Sequence, residues 1–194
     1  LLQNKKAIEL NENANLFKEY ALWNFKIITG CVLFRKSFLD GKKLFLSKIK
    51  RGQETELFSR LFYKLPCEAY KIKNKHLFLY RQHVDSKTYK NYKYIKEYKE
   101  SQSYIAFENF KKAIEINDID LIFYYYKMLI EYYFRGIENN HLNNSKLILT
   151  HLILNVRKLN IILSLELLFF GSFFLVIKRG SYRIEKRFKD YKLI

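Results

Sequence analysis

Four histidines, two cysteines and the carboxylates Asp118 and Asp120 are residues in this chain whose types suit bond-making chemistry. His76, His83, His141 and His151 show neither HExxH nor any comparable ligand spacing, so nothing local marks a metal site. His151 lies in an apolar helical stretch, which favours a hydrogen-bonded core histidine over a ligand. Asp118 and Asp120 are close enough to pair, yet they stand at a helix start, where acidic residues belong for the dipole alone. Cys31 and Cys67 are far apart and lack CxxC context, so they read as reduced, mostly buried thiols. There is no Gly-rich phosphate loop, no GxSxG, and no nucleophile with an evident base. These residues point away from an enzyme and imply no cofactor.

The abundant chemistry is cationic. Lys and Arg number 36 against 19 Asp and Glu, a net charge of +17 in 194 residues. Such an excess opposes compaction unless a polyanion neutralises it, which points to nucleic acid first and an anionic membrane surface second. The charge is uneven: residues 146–194 carry ten basic and three acidic side chains, whereas residues 104–145 carry four and six. The densest cluster is Lys178, Arg179, Arg183, Lys186 and Arg187, accompanied by the single acid Glu185. Further back, Tyr70, Tyr80, Tyr89, Tyr92, Tyr94 and Tyr98 are interleaved with Lys. Rings in such a setting can stack on bases while ammonium groups meet phosphate; an insertion with incidental tyrosines is an equal alternative.

The elements that must position these residues read as mainly α. Residues 1–66 form N-terminal helices, 67–103 a basic Tyr/Lys-rich insertion or extension, and 104–194 helices, a β-hairpin and a basic tail. Within the first segment, residues 7–39 read as helical, Asp40-Gly41 is a turn, and a second helix follows from Lys42-Lys43. Leu57, Phe58, Leu61, Phe62 and Leu65 make an amphipathic stripe that Pro66 ends. Asp118 can cap a helix that Gly136 can end, and Asn144 and Ser145 offer the next cap.

The apolar run 159–177 is the most ambiguous element. It has the flanks of a membrane span but is short for one, and it contains Ser164, Glu166, Gly171 and Ser172. Ser164 and Glu166 fall two apart and Gly171-Ser172 suits a reversal, so a hairpin is the favoured expectation. Composition skewed to Lys, Asn, Ile, Tyr, Phe and Leu fits an AT-rich organellar gene. Glu9, Glu12 and Glu19 argue against a transit peptide, which is consistent with synthesis inside the organelle.

Taken in order, several motifs resemble the bacterial and organellar small-subunit ribosomal protein seven family. Phe38-Leu39-Asp40-Gly41-Lys42-Lys43 is similar to that family's helix-ending turn, and Leu154-Asn155-Val156-Arg157 to the helix end before its hairpin. Phe170-Gly171-Ser172-Phe173 is similar to the reversal with one glycine lost, and Val176-Ile177-Lys178-Arg179 to the exit strand. The resemblance implies a helical ribosomal-protein domain with one β-hairpin, acting as a structural constituent of a mitochondrial ribosome. It implies binding to rRNA of the small-subunit head, beside neighbouring ribosomal proteins. The family's last helices have no room here, so that half would be lost or supplied by a separate chain. The matching RNA contacts would be Lys42, Lys43, Arg157, Lys178 and Arg179, joined by the basic cluster Arg183, Lys186 and Arg187. A second class of function, an accessory subunit of a mitochondrial inner-membrane complex, would use 159–177 as one transmembrane helix.

Overall fold

The computed structural model describes residues 10–11, 13–73, 94–191 and 193. The chain divides into two compact units, Leu1–Lys93 and Tyr94–Ile194.

The first unit is built on α1 (Leu16–Ala21), α2 (Lys36–Leu39) and α3 (Gln53–Phe62). Asn15 caps α1 by accepting from the Lys18 amide at 3.1 Å. The stripe Leu57, Phe58, Leu61 and Phe62 is buried as its spacing requires, and the Tyr20 ring meets Phe58 and Phe62 edge-on at 5.8 and 5.6 Å. Helix α3 stops at Phe62, short of Leu65 and Pro66, and two further helix expectations fail in this unit. The 7–39 segment is not one helix: α1 ends at Ala21, Trp23 turns the backbone at φ 62°, and an extended stretch with a 3-10 turn at Thr29–Cys31 follows. Nor does a helix follow the Asp40-Gly41 turn, because the next one begins at Gln53. Of the apolar residues between Leu44 and Ile49 only Ile49 is buried, so that segment has no stripe for a helix to bury.

The second unit contains α4 (Lys96–Glu115), α5 (Ile119–Glu138), α6 (Leu142–Val156), α7 (Ile161–Glu166), α8 (Ser172–Ile177) and α9 (Tyr182–Asp190). Residues 96–103, placed with the Tyr/Lys-rich insertion on sequence, are the first turns of α4; residues 74–93 of that insertion lie outside the described residues. The short α4–α5 and α5–α6 turns each carry an asparagine at φ 52°, Asn117 and Asn140, the residue type that best tolerates left-handed backbone after glycine. Asp118 caps α5 by accepting from the Leu121 amide at 3.1 Å. Helix α5 is central, packing on α4, α6 and α9 and burying Leu121, Ile122, Tyr126, Leu129, Ile130, Tyr133 and Phe134.

Gly136 does not end α5, which runs on to Glu138, and Asn144 and Ser145 do not cap α6 but lie inside it, buried. Ser145 is instead a packing residue: its hydroxyl donates to the Tyr133 carbonyl at 2.9 Å, beside Gly136.

The expected β-hairpin is overturned. Among the described residues there is no strand, and 161–177 is helical throughout, with a five-residue π turn at Leu167–Gly171 between α7 and α8. Leu163, Leu167 and Phe174 are buried, a helical spacing that an almost wholly apolar sequence conceals. Gly171 is a point of close approach and not a reversal. A Cβ there would lie 2.5 Å from Leu149 Cδ1, and its carbonyl accepts from the buried Tyr133 hydroxyl at 2.6 Å. The transmembrane alternative also loses its element, since no helix among the described residues is long and apolar enough to cross a membrane. At 1.5 Å per residue the 161–177 run reaches only about 25 Å, against a hydrocarbon core of about 30 Å.

Burial of tyrosine makes the fold sensitive to alkali. Burial, the main cause in each case, pushes the Tyr132 phenol up to about 12 and raises Tyr126 and Tyr133 further. Each is neutral in the folded unit, whereas an unfolded tyrosine ionises near 10. Stability is therefore untouched below pH about 10 and falls above it, by about 1.4 kcal/mol per pH unit for each tyrosine that ionises on unfolding. An alkaline titration should show a first rise in tyrosinate absorbance near pH 10 from exposed tyrosines such as Tyr182, then a second rise together with loss of helical circular dichroism. Tyrosinate appearing in full near pH 10 with helicity retained would contradict this.

Candidate nucleic-acid interface

Helix α9 carries three of the sequence-derived RNA contacts, and two features fix it. Phe188 is buried and meets the Phe170 ring at 6.4 Å, and Lys189 bridges Glu185 at 2.7 Å and Glu131 of α5 at 3.5 Å. With Phe188 facing inward, Arg183, Lys186 and Arg187 fall at i, i+3 and i+4 on the outer face, where all three are exposed.

The ion pairs then separate these cations by role. Arg187 donates to Glu166 at 2.8 Å and lies over the Phe170 ring at 5.9 Å, so it fastens α9 to α7. Glu131 also receives Arg135 at 2.8 Å. With Glu131, Glu166 and Glu185 engaged, Lys178, Arg179, Arg183 and Lys186 are exposed and make no ion pair among the described residues. Arg183 also stands in the first turn of α9, where the helix dipole disfavours a cation, so the helix gains nothing from it. Arg157, at the end of α6, is exposed in the same way, as is its neighbour Lys158.

In the first unit Lys42 folds back, donating to the Phe38 carbonyl at the end of α2 with its ammonium 4.3 Å from the Phe38 ring centroid. Lys43 is exposed beside it. The loop is clamped by Arg60, which donates to the carbonyls of Lys43 and Leu44 and forks onto Glu56 at 2.8 and 3.0 Å.

Two rings of the Tyr/Lys-rich segment are tied into the fold. Tyr70 donates to the Ala14 carbonyl, and the Tyr94 hydroxyl lies 3.2 Å from His141 Nδ1; both serve the fold. Tyr80, Tyr89 and Tyr92 lie outside the described residues. One exposed ring that the sequence reading passed over is Tyr182, 79% exposed and adjacent to Arg183; its signal was an aromatic residue inside the basic run.

The arrangement nearest to catalytic geometry is buried His141, whose Nε2 lies 2.9 Å from Glu100 and whose Nδ1 faces Tyr94. Burial and then the Glu100 charge raise the Tyr94 phenol above its ordinary value, which keeps it protonated and a poor nucleophile. The group fastens the start of α4 to the α5–α6 turn. His151 is not the hydrogen-bonded core residue expected: it is half-buried and stacks on Phe107 at 3.7 Å. Burial lowers its pKa first, and the Lys111 charge adds to that. Cys31 and Cys67, expected to be mostly buried, are both exposed. No group of three or more His, Cys, Asp or Glu among the described residues is placed to hold a metal ion. No family model matches the chain, and neither a curated protein nor a solved structure matches it.

Proposed function

We propose that this chain is a structural RNA-binding protein, a constituent of the small subunit of a mitochondrial ribosome. One observation carries the RNA-binding part: Lys178, Arg179, Arg183 and Lys186 are exposed and make no ion pair among the described residues. Such a group neutralises phosphates and releases their counterions, which gives affinity with modest sequence preference. Arg157, Lys42 and Lys43 add exposed cations, each within its own unit.

The assignment to a small subunit rests on the motifs Phe38–Lys43 and Leu154–Arg157 and on the organellar composition, and it no longer uses a hairpin. Its partners are small-subunit rRNA and neighbouring ribosomal proteins.

Binding of purified protein to single-stranded RNA, followed across a salt series, tests the cationic interface. Four phosphate contacts predict that log K falls with log salt at a slope of about −3. A slope near zero would remove phosphate neutralisation as the basis of function.

A further inference from the structure

Helices α7 and α8 and the π turn between them are apolar on both sides, but the fold covers only one. Leu163, Leu167, Gly171 and Phe174 face inward. At 100° per residue the opposite face carries Ile161, Leu165, Leu168, Phe169, Phe173 and Val176, all exposed, with Phe169 at 71% and Val176 at 78%. A helix that is hydrophobic all round belongs in an apolar environment on every side. This face covers on the order of several hundred Å², more than a single soluble domain commonly leaves in water.

The charges around it indicate what covers it. Each end of the run carries two exposed cations, Arg157-Lys158 before it and Lys178-Arg179 after it. The one carboxylate within the run, Glu166, is turned aside and held by Arg187. Ser172 is the only polar residue on the outer face, so there is almost nothing to direct hydrogen bonds, where a protein partner's interface would carry about one per 100–200 Å².

We propose that this face is seated in the surface of an anionic lipid bilayer. The helix run lies parallel to the membrane, its outer residues reach the acyl boundary, and the four end cations reach the headgroups. Spanning is precluded, because the inner face is packed on the rest of the unit. Lys178 and Arg179 serve both surfaces, whereas Arg183 and Lys186 lie on a different helix and stay available for RNA, and the apolar face itself does not depend on the RNA-binding proposal.

The test is flotation of the full chain with phosphatidylcholine vesicles, with and without phosphatidylglycerol. Wild-type protein should float with the anionic vesicles and stay bound in high salt, where adsorption by charge alone is screened. Phe169→Glu with Val176→Glu should lower vesicle partitioning by about tenfold or more, with helicity unchanged. Should that variant misfold, Phe169→Gln with Val176→Thr tests the same face with neutral side chains. Lys178→Ala with Arg179→Ala should reduce the preference for anionic over neutral vesicles. Release of the wild type by high salt would overturn the proposal, as would folded face variants that float like the wild type. A wild-type dimer that ignores vesicles and is dissolved by the same substitutions would also overturn it, and would make a second copy the occupant.

Discussion

Gly136→Ala should destabilise the second unit by about 2 kcal/mol, even though alanine is the better helix former. At an unconstrained helix position the same change stabilises by roughly 0.5–1 kcal/mol. Here the new Cβ would lie 2.2 Å from Ser145 Oγ and 3.6 Å from the His141 carbonyl oxygen. Ser145 is fully buried, and rotating its hydroxyl away surrenders the 2.9 Å bond to the Tyr133 carbonyl. Overpacking of this kind costs about 1–3 kcal/mol, more than the propensity gain. For a unit of this size about 2 kcal/mol corresponds to a fall of about 10 °C in Tm. Ser145→Ala removes the clashing oxygen and leaves its own Cβ at 3.5 Å, so Gly136→Ala should cost markedly less in that background. The two changes should couple by at least about 1 kcal/mol. Thermal melts of the four variants decide this; strict additivity, or a Gly136→Ala chain more stable than wild type, would show that α5 and α6 do not approach there as described.

Arg183→Glu with Lys186→Glu should weaken RNA binding by about 100-fold near 0.1 M salt, with the gap closing as salt rises. Each lost phosphate contact also removes about one unit from the salt slope. Stability should change little, because both side chains are exposed and neither pairs with a carboxylate among the described residues. A glutamate at position 183 even suits the first turn of α9 better than the native arginine. Arg187→Glu makes the contrasting control. It sets two carboxylates against each other at Glu166 and removes the cation from the Phe170 ring, so its first effect falls on stability. Equal RNA affinity for wild type and the Arg183/Lys186 variant would place the interface elsewhere on the chain.

What the sequence disclosed, and what it hid, follows from the range of the interactions involved. The Asp118 cap was legible because its bond to the Leu121 amide is local. The Leu57–Phe62 stripe was legible for the same reason. The 159–177 run was misread because nearly every position is apolar, leaving few polar phase markers, of which Ser164 and Glu166 carried the reading. Their spacing of two imitates a strand. In the fold Ser164 donates to the Ile153 carbonyl at 3.0 Å, and Glu166 is satisfied by Arg187, 21 residues away. Neither partner is visible to a local pattern. Gly136 and Gly171 were misread likewise: each is glycine because another helix lies against it, which only the tertiary structure reveals. The basic cluster 178–187 was evident from composition, but that Arg187 pairs with Glu166 while Arg183 and Lys186 make no ion pair among the described residues required the structure.

The most direct measurement is sedimentation of a detergent-solubilised organelle lysate through a sucrose gradient, with and without RNase, followed by blotting for this chain. Detergent removes any contribution of the exposed α7–α8 face to co-migration. A structural protein of the small ribosomal subunit should travel with that subunit and shift toward the top of the gradient after RNase. Migration with a respiratory complex, or at any position indifferent to RNase, would contradict the ribosomal assignment.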